Sequence, residues 1–97
     1  MKVMISQPMN GKTEEQIREE RENLIKELES QGHEVVDTIF AEESPKDCDT
    51  ALYYLSKSIE AIGKVDGLVF MKGWECARGC MIEHHVAQSY GKFVRYV

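Results

Sequence analysis

A chain of 97 residues, 42% hydrophobic and 30% charged, has the material for one domain with one modest core. Its formal net charge of −5 sets it against nucleic acid polymers, which would repel it before any contact formed, and no apolar run approaches the roughly 20 residues that span a bilayer. Three cysteines with no secretory signal argue against a disulfide framework and lead us to expect a reducing, cytoplasmic setting.

The start, MKVMISQPM, carries one lysine and a very short apolar patch, so Lys2 to Ser6 reads as a first strand and not as a signal peptide. Pro8, Asn10 and Gly11 break it. Thr13 then opens a helix: Gln16, three residues on, completes a capping box, and Glu14 and Glu15 occupy the first turn, where the helix dipole favours negative charge. Ile17, Leu24, Ile25 and Leu28 recur on one face, and Gly32 ends the helix. Glu34 to Phe40 reads as a second strand running into a loop, and residues 42 to 47 as a polar connection around Pro45. Asp49 or Thr50 caps a second helix, in which Leu52, Leu55, Ile59 and Ile62 follow the spacing of a buried stripe. Val65 to Met71 is the near-continuous apolar run of a strand buried on both faces. Gly73 to Ala77 is a turn, Gly79 to Tyr90 a third helix, and Phe93 to Val97 a final strand.

The order β-α-β-α-β-α-β implies an α/β fold: a four-stranded parallel sheet between helical layers, a three-layer αβα arrangement over a single domain, residues 1–97. Ligands of such sheets bind outside the carboxyl ends of the strands, near the point where strand order reverses. The loops Gln7 to Lys12 and Lys72 to Arg78 are therefore the expected walls of a site.

Two patterns in these loops suggest chemistry that the residues do not complete. SQPMNGKT lies between a strand and a helix, as a phosphate-binding P-loop does, but Ser6 stands where that pattern needs glycine and Pro8 removes a backbone donor. Thr13 as a plain helix cap is the better reading. Cys76, Cys80 and His84 are spaced four apart, as zinc ligands on one helical face would be, yet Cys76 falls before the helix and the chain offers no second ligand cluster. No metal is expected from this spacing.

The stretch GWECARGCMIEHHVA concentrates the reactive side chains of the molecule. Glu83 lies about one turn into the third helix, past Gly79, near the partial positive charge and free N–H groups of the helix start. That setting should keep the carboxylate ionised, and an ionised, positioned carboxylate is what attack on a sugar carbon requires. Spacing alone also permits one more solvated helix glutamate.

Three segments carry a family resemblance: VMISQPMNG, IEAIGKVDGLVFM and GWECARGCMIEHHVAQSYGKFV. Across nearly its whole length the chain resembles the nucleoside 2-deoxyribosyltransferase superfamily, and within it the DUF4406 family. In the last segment Gly79, Glu83, Ala87, Gly91 and Phe93-Val94 match the superfamily's pattern of glycine, nucleophilic glutamate, alanine, glycine and terminal apolar strand. The resemblance implies a flavodoxin-like, Rossmann-like sheet and cleavage of the N-glycosidic bond of a nucleoside or nucleotide by Glu83 acting as nucleophile at C1′. The sugar would pass to water or to a second base, with no metal or organic cofactor needed. It implies a substrate cleft that includes Ser6, Gln7, Pro8, Met9, Ser58 and Gly79, and a homodimer.

It also gives Trp74 a base to stack on, Glu75 a sugar hydroxyl or an acid's role, and Arg78 a phosphate. Each of these three also has a plain structural reading, as a lid on the core or a solvated turn charge. The chain departs from the superfamily at Met4, where a tyrosine orients the nucleophile, at Ser58, where an aspartate serves as acid, and at Ala77, where an aspartate or serine grips the sugar. Those departures keep a second reading open, that of a nucleotide-binding module without turnover. His84 and His85 fall on other helical faces than Glu83, and Asp66 at the far end of the sheet, so none of them is given a catalytic role.

Overall fold

The computed structural model describes residues 1–38 and 43–97. Four strands, β1 (Lys2–Ser6), β2 (Glu34–Val36), β3 (Gly67–Phe70) and β4 (Phe93–Tyr96), alternate with three helices, α1 (Glu14–Ser30), α2 (Thr50–Ile62) and α3 (Arg78–Ser89). All strand pairs are parallel, in the order β2-β1-β3-β4. The chain thus steps outward from β1 to β2, crosses back over β1 to β3, and continues to β4. Right-handed crossovers then put α1 on one face and α2 and α3 on the other. This is the four-stranded three-layer sheet expected from the alternation of elements.

The side-chain alternation of the strands splits the core accordingly. Val3, Ile5 and Val69 face α1 and pack with Leu24 and Leu28, whereas Met4, Leu68 and Phe70 face the other layer and pack with Ile62 and Ala87. β1 and β3 are central, and Met4, Ile5, Leu68, Val69 and Phe70 are almost completely buried. That is why their sequences read as continuous apolar runs.

The helix starts follow the caps written in the sequence. Thr13 accepts from the Gln16 backbone N–H, and the Gln16 side chain accepts from the Thr13 backbone, which completes the capping box. Asp49 caps α2 through the Leu52 N–H. β2 and β3 are shorter than the apolar runs suggest. Val65 is buried but precedes β3, and the distal end of the expected second strand, residues 39 and 40, lies outside the described residues.

The α2 stripe is a correction. Ile62 is buried, but Leu52 is 62% exposed and Ile59 38% exposed. Only the last turn of α2 reaches the sheet, and a 3.6-residue period cannot tell which part of a helix has a partner.

Gly67 begins β3 directly opposite Phe93 of β4. A Cβ there would lie 2.9 Å from the Phe93 carbonyl oxygen, which is backbone and cannot swing aside. Gly67→Ala should therefore separate the β3–β4 edge and destabilise the fold by about 1–3 kcal/mol in denaturant unfolding. An unchanged midpoint would show that the strands part without cost.

Candidate active site

A cleft of about 880 Å³ opens beyond the carboxyl end of β1, where the strand order reverses. Each layer supplies a wall. The β1–α1 loop contributes Gln7, Pro8, Met9 and Asn10; α1 contributes Glu14, Ile17, Arg18 and Arg21. Across from them stand Ala51, Tyr54, Leu55 and Ser58 of α2, and Cys76 to Cys80 with Glu83 at the start of α3. Such a volume is in the range, roughly 300–1,000 Å³, of clefts that hold small organic ligands.

Glu83 is 8% exposed and lines this cleft. The Ser6 hydroxyl, at the last position of β1, donates to its Oε1 at 2.7 Å. Burial pushes the Glu83 carboxyl above the ordinary carboxylate range; the Ser6 hydroxyl, the positive charge of Arg21 and the Ser58 hydroxyl pull it back down. The expectation that the helix start keeps this group ionised is therefore not met in direction, because the dominant influence favours the protonated form. That influence is desolvation, and the groups opposing it come from β1, α1 and α2. Beside them Cys80 is also buried, and burial pushes its thiol up, with Ser6 hydrogen bonding opposing and the Glu83 charge reinforcing the shift.

Arg21 is the residue that sequence reasoning missed. It is 4% exposed, with Nη1 donating to the Gln7 carboxamide oxygen at 3.1 Å and Nη2 to the Thr38 hydroxyl at 2.7 Å. The signal was present: Ile17, Arg21, Leu24 and Leu28 are spaced 4, 3 and 4, so a cation stands in the buried stripe of α1. Gln7 is fixed in turn, its amide donating to the Ile17 carbonyl at 2.9 Å. Ser6, Gln7, Arg21 and Glu83 are the buried polar or charged residues among those described, and all four cluster at this end of the sheet.

The sequence-derived site residues divide into three groups. Gln7, Pro8, Met9, Ser58, Arg78 and Gly79 line the cleft with Glu83. Ser6, 1% exposed, does not line it; its hydroxyl is spent on Glu83, so it holds the carboxylate and is not positioned to touch a ligand. Trp74 and Glu75 do not line it either. They fall in a short 3-10 turn, Trp74–Cys76, on the other side of α3's start. There the indole stacks on His84 at 4.2 Å and on Tyr96 at 5.6 Å and packs against Phe70, which is the core-lid reading of Trp74, while Glu75 is an exposed turn charge.

Met4 is wholly buried in the core, and Ala77 starts α3 without any side-chain cap. Lys12, the would-be P-loop lysine, is paired with Glu20 at 2.9 Å. Among the described residues no three His, Cys, Asp or Glu side chains converge so as to hold a metal ion. The Asp66 carboxylate accepts from the Lys2 backbone N–H at the opposite end of the sheet, away from the cleft as expected.

The family model of DUF4406, described as a domain of unknown function, matches residues 1–96. No curated protein matches the chain. Among solved structures the chain is similar to the CMP N-glycosidase of Clostridium botulinum, with a TM-score of 0.65 and 25% sequence identity over 99% of this chain and 67% of that one. The sheet described above is thus one that an N-glycosidase also uses.

Because burial raises the folded-state carboxyl of Glu83, its effect on stability has a defined sign. The native state binds this proton more tightly than the unfolded chain, so the contribution is favourable below the ordinary glutamate range and is lost as pH rises through the raised folded value. Glu83→Gln, which keeps the shape and an acceptor for Ser6, should raise stability at pH 7 by roughly 1 kcal/mol. The gain should shrink as the pH falls through the raised folded value and be gone below the usual carboxylate range. A variant less stable than wild type at pH 7 would mean that the ionised carboxylate is fully compensated in place.

Proposed function

The chain belongs to the DUF4406 family, and from that premise we propose that it is an N-glycosidase of the nucleoside 2-deoxyribosyltransferase superfamily, acting on a nucleoside or nucleotide with Glu83 as nucleophile. One observation carries the reading: a buried carboxylate, held by Ser6, faces a cleft of ligand size at the switch point of the sheet. The similarity to a CMP N-glycosidase supports the class of reaction.

In this mechanism the sugar lies over the start of α3 with C1′ at Glu83. Ser6 orients the carboxylate by holding Oε1. As the C1′–N bond lengthens, positive charge builds on C1′ and the ring oxygen, and the adjacent carboxylate stabilises that charge before closing on C1′ to form a glycosyl ester. The electron pair of the broken bond stays on the base nitrogen, which takes a proton as the base leaves. Water, or a second base, then opens the ester and restores the free carboxylate. The site's dryness serves this step, since a poorly solvated carboxylate meets developing positive charge without first shedding water.

Gly79 lines the cleft with nothing within 4 Å of where a Cβ would stand, which leaves room for the sugar to approach the helix backbone. Arg78, exposed at the cleft wall in the first turn of α3, is placed for a 5′-phosphate, next to N–H groups that have no side-chain cap.

A second reading is favoured by Met4 and Ala77, which give the site neither the superfamily's tyrosine nor its sugar-gripping side chain. On that view the cleft binds a nucleotide and leaves it intact.

Chromatography of a panel of ribo- and deoxynucleosides and their 5′-monophosphates separates the two. Free base should form with wild type and fall by at least about a hundredfold in Glu83→Gln, the scale expected for loss of a covalent nucleophile. Calorimetric binding with no base released, even with a second base added as acceptor, would leave the binding module. For the phosphate, Arg78→Ala should lower kcat/KM for a monophosphate by about 1.5–3 kcal/mol of binding, the worth of a charge-assisted hydrogen bond, and leave the parent nucleoside unaffected. Equal losses for both would assign Arg78 to the turn alone.

A further inference from the structure

Arg21 has no ordinary structural reason to be an arginine. It occupies a stripe position where an aliphatic side chain would pack on the sheet, and burying a guanidinium is costly unless charge and hydrogen bonds compensate. Its neighbours compensate incompletely. Gln7 and Thr38 are neutral acceptors, and Nε is buried with no acceptor among the described residues. Asp37 stands 3.9 Å from Nη2 but is 74% exposed, so water screens that pair heavily.

The one buried anion among the described residues is Glu83, which lines the same cleft and acts on Arg21 electrostatically, less strongly than the nearer Asp37. No direct ion pair joins the two, so the carboxylate keeps an open side. Arg21 comes from the α1 layer and Glu83 from the α3 layer, and they face one another only past the end of β1.

We propose that Arg21 is a positioning residue of this site: its guanidinium, pinned by Gln7 and Thr38, holds the Glu83 carboxylate in its anionic form, turned into the cleft. A cation at a distance favours the charged nucleophile without tying up its oxygens, as a direct pair would. The same bonds clamp the β1–α1 loop, because Gln7 is held between Arg21 and the Ile17 carbonyl. The groups that face Glu83 are Ser6 from β1, Arg21 from α1, Ser58 from α2 and Cys80 from its own helix. Of these, Arg21 alone brings positive charge. Arg18 and Arg78 are exposed farther out on the cleft walls, where solvent weakens their field. The consequence for turnover rests on the N-glycosidase reading; the effect on the charge of Glu83 does not.

The test is a carbon-13 NMR titration of the glutamate side-chain carboxyls in the whole chain, with the Glu83 signal assigned by its loss in Glu83→Gln. The Glu83 midpoint should move to higher pH in Arg21→Met and return toward wild type in Arg21→Lys, which restores charge without the fork. A folded Arg21→Met protein with an unmoved midpoint would overturn the proposal and leave Arg21 as a structural clamp. Should Arg21→Met not fold, Arg21→Gln, which keeps a polar donor at the position without the charge, provides the same reading. The Glu83 midpoint should again move to higher pH, and an unmoved midpoint counts against the proposal. Where base release is measured, its acid limb should move up in pH in Arg21→Met, with the rate recovering at higher pH, a pattern that mere loosening of the fold does not give. The titration needs no turnover, so a failure of the glycosidase reading leaves it interpretable.

Discussion

The bond from the Ser6 hydroxyl to the Glu83 carboxylate joins residues 77 apart in the chain and ties the last residue of the central strand to the second turn of α3. Around it the protein does something unfavourable. It takes a carboxylate out of water, where solvation would have held it at no cost, and must supply substitutes from its own groups. The clustering of Ser6, Gln7, Arg21 and Glu83 follows from that requirement. One buried charge calls for donors, and a buried cation calls for acceptors in turn. Polar residues this deep would weaken the core anywhere else in so small a sheet, so their restriction to one end marks the part of the molecule built for something other than stability.

The topology makes the cluster possible. β1 is flanked by β2 and β3 and covered on both faces, so its carboxyl end is the place where all three layers come together. α1 can present a cation there from one side while α3 presents an anion from the other. The Phe70–Trp74–His84–Tyr96 aromatic group sits toward β4 and builds a lid instead of a cleft wall.

The strand's alternation also sorts positions 4 and 6 of β1. Met4 and Ser6 point to the same face of β1, and Ser6 is one step nearer the carboxyl end. A short hydroxyl close to the carboxylate reaches it directly, and position 4 is then free to be an apolar core residue, as it is. Ser58 likewise contributes a neutral hydroxyl toward Glu83. An added negative charge there would have raised the burden on the already desolvated carboxylate.

What the sequence determined by itself is what short-range chemistry writes. The caps at Thr13 and Asp49, the apolar runs of β1 and β3, the alternation of elements and the place of Glu83 at the start of α3 are all local, and each was legible as such. Periodicity could not say which stripe residue would find a partner, so Leu52 and Ile59 read as core and are exposed, and Arg21, left out of the α1 stripe as read, is buried. Nor could it give the direction of a short turn, which carried Trp74 away from the cleft and toward His84. The charge environment of Glu83 was the least legible feature. It depends on Ser6, Arg21 and Ser58, three side chains from three other elements, and on how much water their packing excludes. Desolvation belongs to the assembled layers and has no counterpart in the order of residues along the chain.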